Sequence, residues 1–353
     1  MKASFQKYTL NFKQASGTSR GIYTTRDSWL IFLNDGTHTG IGECAPLPDL
    51  SIESLNRMSA RLLQVGEQIG YFIQSPEELN AWPSIRFGLE TALLDLKNGG
   101  KKELFPSAFT RGEVGIPING LIWMGTPEFM KQQIRTKLDA GFRCIKMKIG
   151  ALDFDTELEL LKSIRKEFSA EEITLRVDAN CAYSYQTALE NLKRLSDLQI
   201  HSIEQPIQTG RWNEMAELCR QSPVPIGLDE ELIGISSGKE MQKLLETIRP
   251  AYLILKPSLH GGFAGCEKWI GQAEKYGAGW WITSALESNI GLNAIAQWTF
   301  HLNSKNEQGL GTGQLFTNNF DSPLEISGDQ LWFLPKIKWD LGELLKEKND
   351  DDF

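Results

Sequence analysis

Histidine is scarce in this chain, four residues in 353, and the five cysteines (Cys44, Cys144, Cys181, Cys219, Cys266) are an odd, scattered set without a CxxC pair. That usage excludes a Cys/His zinc site and a disulfide-stapled scaffold, and it reads as reduced thiols in a cytoplasmic protein. Long apolar runs are missing as well. No stretch approaches the ~20 apolar residues of a membrane span, and the opening MKASFQKYTLNFKQ lacks the apolar core of a signal peptide. Positive charge is in deficit, with 37 Lys and Arg against 45 Asp and Glu. Without a basic stripe to neutralise phosphates, nucleic acid is not the expected partner. What is present is an ordinary globular balance, 41% apolar and 23% charged. The length suits two domains, or one barrel of ~250 residues with an accessory piece. Oligomeric state is not legible from composition.

From Lys2 to Gly42 the texture is strand-like, with YTLNF, IYTT and WLIFL followed by the turn Asn34-Asp35-Gly36. Helical patterns follow over 52–69 and 84–97, the second closed by Asn98-Gly99-Gly100. An α+β region over 1–110 is expected. After Ile116 short apolar runs alternate with longer helical patterns, and strands are predicted at 116–121, 144–148, 173–178, 200–204, 225–229, 252–256, 279–284 and 309–313. Eight such units predict an α/β fold, a (β/α)8-type barrel over 111–320. Thr126-Pro127 should open the first helix and Ser184 should cap another. In the remaining segment, 321–353, LEI and LWFL flank Ser327-Gly328-Asp329, predicting a hairpin that returns to the N-terminal domain.

Three consecutive predicted strands end in a carboxylate: Asp178, Glu204 and Asp229, spaced by 26 and 25 residues. In a barrel these acids stand side by side at the C-terminal mouth, where such enzymes keep their sites. Their mutual repulsion calls for a cation, and an all-oxygen set suits a hard octahedral ion, Mg2+ before Mn2+. The bland alternative makes Asp178 and Asp229 helix caps and Glu204 a solvated loop residue. Three neighbouring strands sharing the feature favour the metal.

Lysines flank the acids. Period-two geometry turns Lys146 and Lys148 of CIKMK to one face, away from Ile145 and Met147, while Lys256 ends the sixth strand on the opposite side of the ring. Lys146 could lower the basicity of Lys148 by charge proximity. A cation between two amines suits abstraction of a proton α to a carboxylate, because the resulting dianion needs electrophilic support. The expected partner is therefore a small carboxylate. Arg176 shares the inward face of Asp178, either to meet a substrate carbonyl or carboxylate or to pair with a barrel acid.

With KMKIG, RVDAN, IEQPI, LDEEL, LKPSLHGG and SALESNIGL, the chain resembles the muconate-lactonizing-enzyme subgroup of the enolase superfamily, whose lysine base and Mg2+ are a known pattern. GIGECAPLPDLS and IRFGLETALLDL are similar to that subgroup's capping domain. The resemblance implies Asp178, Glu204 and Asp229 as Mg2+ ligands with Asn180 behind them, Lys148 as base and Lys256 as its opposing lysine. IPINGLI with Asn119, together with Arg176 and GLGTGQLF, looks most like the members that dehydrate a succinyl-hydroxycyclohexadiene carboxylate in menaquinone biosynthesis. Lys146, Arg176, Asn119, Ser284, Ser288, Gly309 and Leu310 are then the implied substrate contacts. Loops at Ser19-Arg20 and Leu47-Pro48-Asp49 would close over the site. The rivals are an N-acylamino acid racemase and a dipeptide epimerase, the latter disfavoured by Gly311-Thr312-Gly313 where an Asp-x-Asp pair is typical. Muconate cycloisomerase lacks its strand-eight Glu here, and a non-catalytic metabolite binder stays as the reading from another class.

Overall fold

Alternation along the second strand sets the N-terminal architecture. Trp29, Ile31 and Leu33 face one apolar cluster, and Leu30 and Phe32 face another. The strand is thus buried on both sides. The computed structural model describes residues 1–18 and 21–342; Ser19, Arg20 and the acidic tail 349–352 lie outside the described residues. β1 (Lys2–Thr18), β2 (Gly21–Asn34) and β3 (Thr39–Cys44) form an antiparallel sheet in that order. α1 (Met58–Glu67), α2 (Ile69–Gln74) and α3 (Pro83–Lys97) supply the apolar face packed on Trp29, Ile31 and Leu33. α3 lies directly on β3, where a Cβ at Gly42 would sit 1.9 Å from the Gly88 carbonyl oxygen. Only glycine permits that approach. The helix expected over 52–69 is interrupted: a 3-10 turn at Leu55–Arg57 precedes α1, and Gln68 leaves helical geometry between Gly66 and Gly70, two weak helix formers.

The alternating half follows in order: β4 (Ile116–Pro117), β5 (Gly120–Ile122), α4 (Pro127–Asp139), β6 (Cys144–Lys148), α5 (Phe154–Glu167), β7 (Thr174–Asp178), α6 (Tyr185–Ser196), β8 (Ser202–Glu204), α7 (Trp212–Gln221), β9 (Ile226–Leu228), α8 (Gly238–Ile248), β10 (Tyr252–Leu255), α9 (Pro257–His260), α10 (Gly262–Tyr276), β11 (Gly279–Ile282) and α11 (Asn289–His301). Among the described residues, β5 through β11 make one parallel sheet in sequence order. Thr126 caps α4 by accepting from Phe129 N, and Ser184 caps α6 by accepting from Thr187 N. Ile145 and Met147 enter the large core between sheet and helices, as their alternation with the lysines requires. Each such fully buried side chain contributes about 1.5–3 kcal/mol.

Two expectations need correction. The first strand is split, because Pro117 has no N–H to give a ladder, and β4 pairs antiparallel with β13 instead of joining the parallel sheet. The eighth strand over 309–313 is reduced to single bridges, Ile118 to Gln308 and Thr283 to Gly309. Glycine at 309, 311 and 313 leaves too little side chain to stabilise a longer strand. Even so, Gln308 and Gly309 hydrogen-bond to both edges of the curled sheet, through Asn119 N to Gln308 O and Gly309 N to Ile282 O.

β12 (Leu324–Ser327) and β13 (Gln330–Phe333) form the hairpin expected around Gly328. It pairs with β4 and not with the N-terminal sheet, since the β1–β3 edges are not its neighbours. Contact with the N-terminal sheet comes from flanking residues: Phe320, Trp339 and Leu341 cluster with Leu30, Phe32 and Ile41.

Candidate active site

Parallel register brings the carboxylates together. Lys148 lies opposite Asp178, Asp178 opposite Glu204, and Glu204 opposite Gly227, two residues before Asp229. One oxygen from each of Asp178, Glu204 and Asp229 lies within 4.8 Å of the others, and all three residues are fully buried. Asp229 precedes a 3-10 turn without capping it, so the cap alternative does not account for its position. Asp178 does accept from Asn180 N at 3.1 Å, but its other oxygen faces two ammonium groups.

All three lysines reach this cluster. Lys146 Nζ lies 2.9 Å from Asp178 Oδ2 and also donates to Glu204 Oε2. Lys148 Nζ is 2.7 Å from both Asp178 Oδ2 and Asn180 Oδ1, and Lys256 Nζ is 2.6 Å from Asp229 Oδ1. Burial works against the Lys146 ammonium, yet Asp178, Glu204 and Asp229 outweigh it and hold the group firmly protonated. Lys256 is also raised: burial opposes, but Asp229 and Glu230 prevail. For Glu204, burial outweighs the help of Lys146, and with Asp178 and Asp229 adding repulsion the carboxyl is pushed up to about 8. Asp178 is shifted the other way, well below the carboxylate range, because Lys146 and Lys148 together overcome its burial.

This donor set fits a divalent cation. The ligand atoms are hard oxygens, and Glu204 Oε1 is buried without a hydrogen-bond partner among the described residues, an orphan that a cation would satisfy. Asn180 stands behind it, with its amide nitrogen donating to Glu230 Oε1 at 3.0 Å. That bond turns the amide oxygen toward Lys148.

The cavity beside the cluster is lined by Lys146, Lys148 and Lys256, by the polar Asn119, Thr283, Ser284 and Thr312, and by an apolar wall of Leu47, Leu121, Trp123, Trp281 and Leu286. Asn119 Oδ1 is buried and has no hydrogen-bond partner among the described residues. Gly309 lines the cavity, but Leu310 points into the core. Arg176 does not line it: the guanidinium bonds the Glu307 carbonyl and carboxylate at 2.8 and 3.0 Å and stacks 4.3 Å from the Trp281 ring centroid. Ser288 caps α11 and donates to Glu43, turned away from the cavity. Ser284 lines it with its capacity already filled, donating to Glu287 and accepting from Thr312 Oγ1 and Leu286 N. Sequence reasoning passed over Trp123, Trp281, Leu286 and Thr312. Period-two counting back from Thr283 was the available signal for Trp281.

Side chains of this kind at the C-terminal ends of a curled parallel sheet make an enzyme-type site suited to a divalent cation and an anionic ligand. Residues 129–333 match the model of the enolase C-terminal domain-like family, and residues 1–96 match that of the MenC N-terminal domain. An o-succinylbenzoate synthase from Desulfotalea psychrophila is 47% identical, the match covering 94% of this chain and 98% of that one. An L-Ala-D/L-amino acid epimerase from Maribacter sp. is 26% identical over 84% of this chain and 86% of its own. The crystal structure of MenC from Desulfotalea psychrophila superposes with a TM-score of 0.84 at 43% identity, covering 94% of this chain and 99% of that one. The chain belongs to the enolase superfamily and, within it, to the o-succinylbenzoate synthase family.

Proposed function

We propose that the protein is a hydro-lyase that converts 2-succinyl-6-hydroxy-2,4-cyclohexadiene-1-carboxylate to o-succinylbenzoate and water, the o-succinylbenzoate synthase step of menaquinone biosynthesis, in the cytoplasm. The observation that carries this reading is the near full-length match to the Desulfotalea psychrophila synthase. In it the curled sheet is a (β/α)8-type barrel over 111–320, residues 308–309 standing for the eighth stave, with 1–110 as its cap and 321–353 as a C-terminal segment whose described part, to residue 342, touches both.

Asp178, Glu204 and Asp229 would hold Mg2+, with Mn2+ as a substitute. Bound there, the ion supplies electrophilic stabilisation of the substrate carboxylate as negative charge develops. Lys148, the base, takes the α-proton onto Nζ. The same ammonium then gives that proton to the hydroxyl leaving from the same face, so water departs and Lys148 is restored. Lys256 remains an ammonium and stabilises the anionic ring electrostatically. Lys146 stays cationic against Asp178 and Glu204 and keeps the acids from repelling one another. Asn119, whose cavity oxygen has no partner among the described residues, is a polar contact open to substrate. Beyond the metal cluster no carboxylate lines this cavity among the described residues, which disfavours a substrate bearing an ammonium group.

The test is turnover of the cyclohexadiene after EDTA treatment and again after Mg2+ is restored, with Lys148→Ala in parallel. Metal-dependent dehydration lost in the variant is expected. Turnover that ignores both, or efficient α-deuterium exchange on N-succinyl amino acids with negligible dehydration, overturns the reading.

A further inference from the structure

One segment of the cavity wall is held in a backbone conformation that its residue does not favour. Leu286 has a φ of 66°, the left-handed region that non-glycine side chains enter only at a steric cost. The peptide is fixed from three sides. Ala285 N donates to Glu287 Oε2 at 2.8 Å, Leu286 N donates to Ser284 Oγ at 2.9 Å, and the Ala285 carbonyl accepts from Arg26 Nη1. Arg26 comes from β2 and is 2% exposed; its other terminal nitrogen donates to the Ala45 carbonyl, at the start of the loop that carries Leu47. A single buried guanidinium therefore ties a loop of the N-terminal region to the loop after β11.

The consequence is the placement of one isobutyl group. Leu286 packs in a cluster with Leu10, Phe12, Phe316, Leu47 and Trp123 while lining the cavity that the lysines enter. Glycine or asparagine would hold the same backbone at lower cost, so what leucine adds is apolar surface facing the ligand. Backbone strain kept in place by surrounding bonds is a mark of functional sites.

We propose that Leu286 is a specificity-determining residue: held by Arg26, it forms an apolar wall that selects carboxylates presenting an uncharged, hydrocarbon-like portion, such as a six-membered carbocycle, to that wall, with any further charged substituent directed away from it. This rests on the synthase reading and names what that site selects. A charged substituent against Leu286, Leu47 and Trp123 would be desolvated with nothing to pair with.

The experiment compares wild type with Leu286→Gly and Leu286→Asn, both compatible with the backbone, in kcat and KM for the cyclohexadiene and in calorimetric Kd for o-succinylbenzoate with Mg2+ present. Arg26→Lys is measured alongside. Loss of a buried leucine contact is expected to raise KM and Kd about tenfold or more while kcat changes by less than about threefold. The asparagine variant stands in should the glycine variant fail to fold. Unchanged KM and Kd in folded variants, or a fall in kcat at constant Kd, overturns the proposal. A wild-type protein that binds o-succinylbenzoate without dehydrating the cyclohexadiene overturns the synthase reading alone, since the Kd comparison still reports on the wall; failure to bind it overturns both.

Discussion

Glu53 offers a measurable consequence of burial close to the mouth of the site. It follows the loop residues Asp49, Leu50 and Ile52 that line the outer cleft, and it is only 6% exposed. Its Oε1 accepts from Ser84 N at 2.6 Å in the first turn of α3, a helix whose N-cap Trp82 offers no side-chain acceptor. A carboxylate at a helix N-terminus should be favoured. Here burial is the larger effect and wins over the Ser84 and Ile85 N–H groups, pushing the carboxyl from 4.5 up to about 7. An acid raised on folding costs nothing below pH 4.5, where both states are protonated. Stability then falls as pH rises, because the unfolded chain ionises first, and the full cost is present above pH 7. At 1.36 kcal/mol per unit the loss between pH 5 and pH 8 is about 2.5 kcal/mol. Glu53→Gln keeps an acceptor for Ser84 N and removes the titration. Thermal melts of both proteins across that range should show the variant gaining on wild type with rising pH, by about 3 °C in all for a chain of this length. All other titrating groups are common to the pair and cancel. A melting difference that does not change with pH would refute the assignment of burial as the dominant effect.

Glu204→Gln, which removes charge from the cluster without changing its volume, should weaken Mg2+ binding at least about tenfold by calorimetry; an unchanged affinity would remove Glu204 from the ligand set. Arg176→Met should lower stability by about 1–2 kcal/mol, since it removes the hydrogen bonds to Glu307, whose carboxylate reaches solvent, and leaves Trp281 without its stacked cation. Its KM for the cyclohexadiene should stay near wild type, and a large rise would put Arg176 on the substrate after all. Gly309→Ala places a Cβ 2.2 Å from Thr283 Oγ1 and 2.6 Å from Thr283 Cβ, an overlap worth about 1–3 kcal/mol in a denaturant titration; a neutral substitution would mean that the β11 end yields easily.

The sequence revealed direction better than depth. Alternation correctly separated Lys146 and Lys148 from Ile145 and Met147, because a strand side chain has only two faces to choose from. The same rule put Arg176 on the inward face with Asp178. It could not say that two residues back along a strand is about 6–7 Å deeper, below the cavity and behind Trp281. Lys146 sits in register with Arg176 at that same level, yet its extended stem reaches up to Asp178 and Glu204. The chain length and partner of each side chain decide its role, and neither Glu307 nor Glu204 is near its partner in sequence. Ser288 shows the same limit: the family resemblance implies a substrate contact, but its hydroxyl is claimed by Glu43, 245 residues away. The eighth stave was overread because its hydrogen bonds come from β5 and β11 flanks and not from any β-forming tendency of GLGTG.

Electrostatics explains why the three lysines and three acids form one unit rather than two features. Each buried carboxylate would cost several kcal/mol alone, and so would each buried ammonium. Every acid of the cluster is partnered by a lysine, and the folded chain tolerates the arrangement. A divalent cation taken up by the acids would leave the ammonium groups in excess in a cavity whose opposite wall is apolar. An excess of positive charge under a hydrocarbon wall complements an anion with an apolar portion, and the proposed carboxylate on a carbon ring is one such ligand. In the proposed function the lysines would serve both states: with the acids they balance charge, and with a cation bound Lys146 and Lys256 would remain ammonium groups facing the substrate carboxylate while Lys148 gives up its proton to act as base.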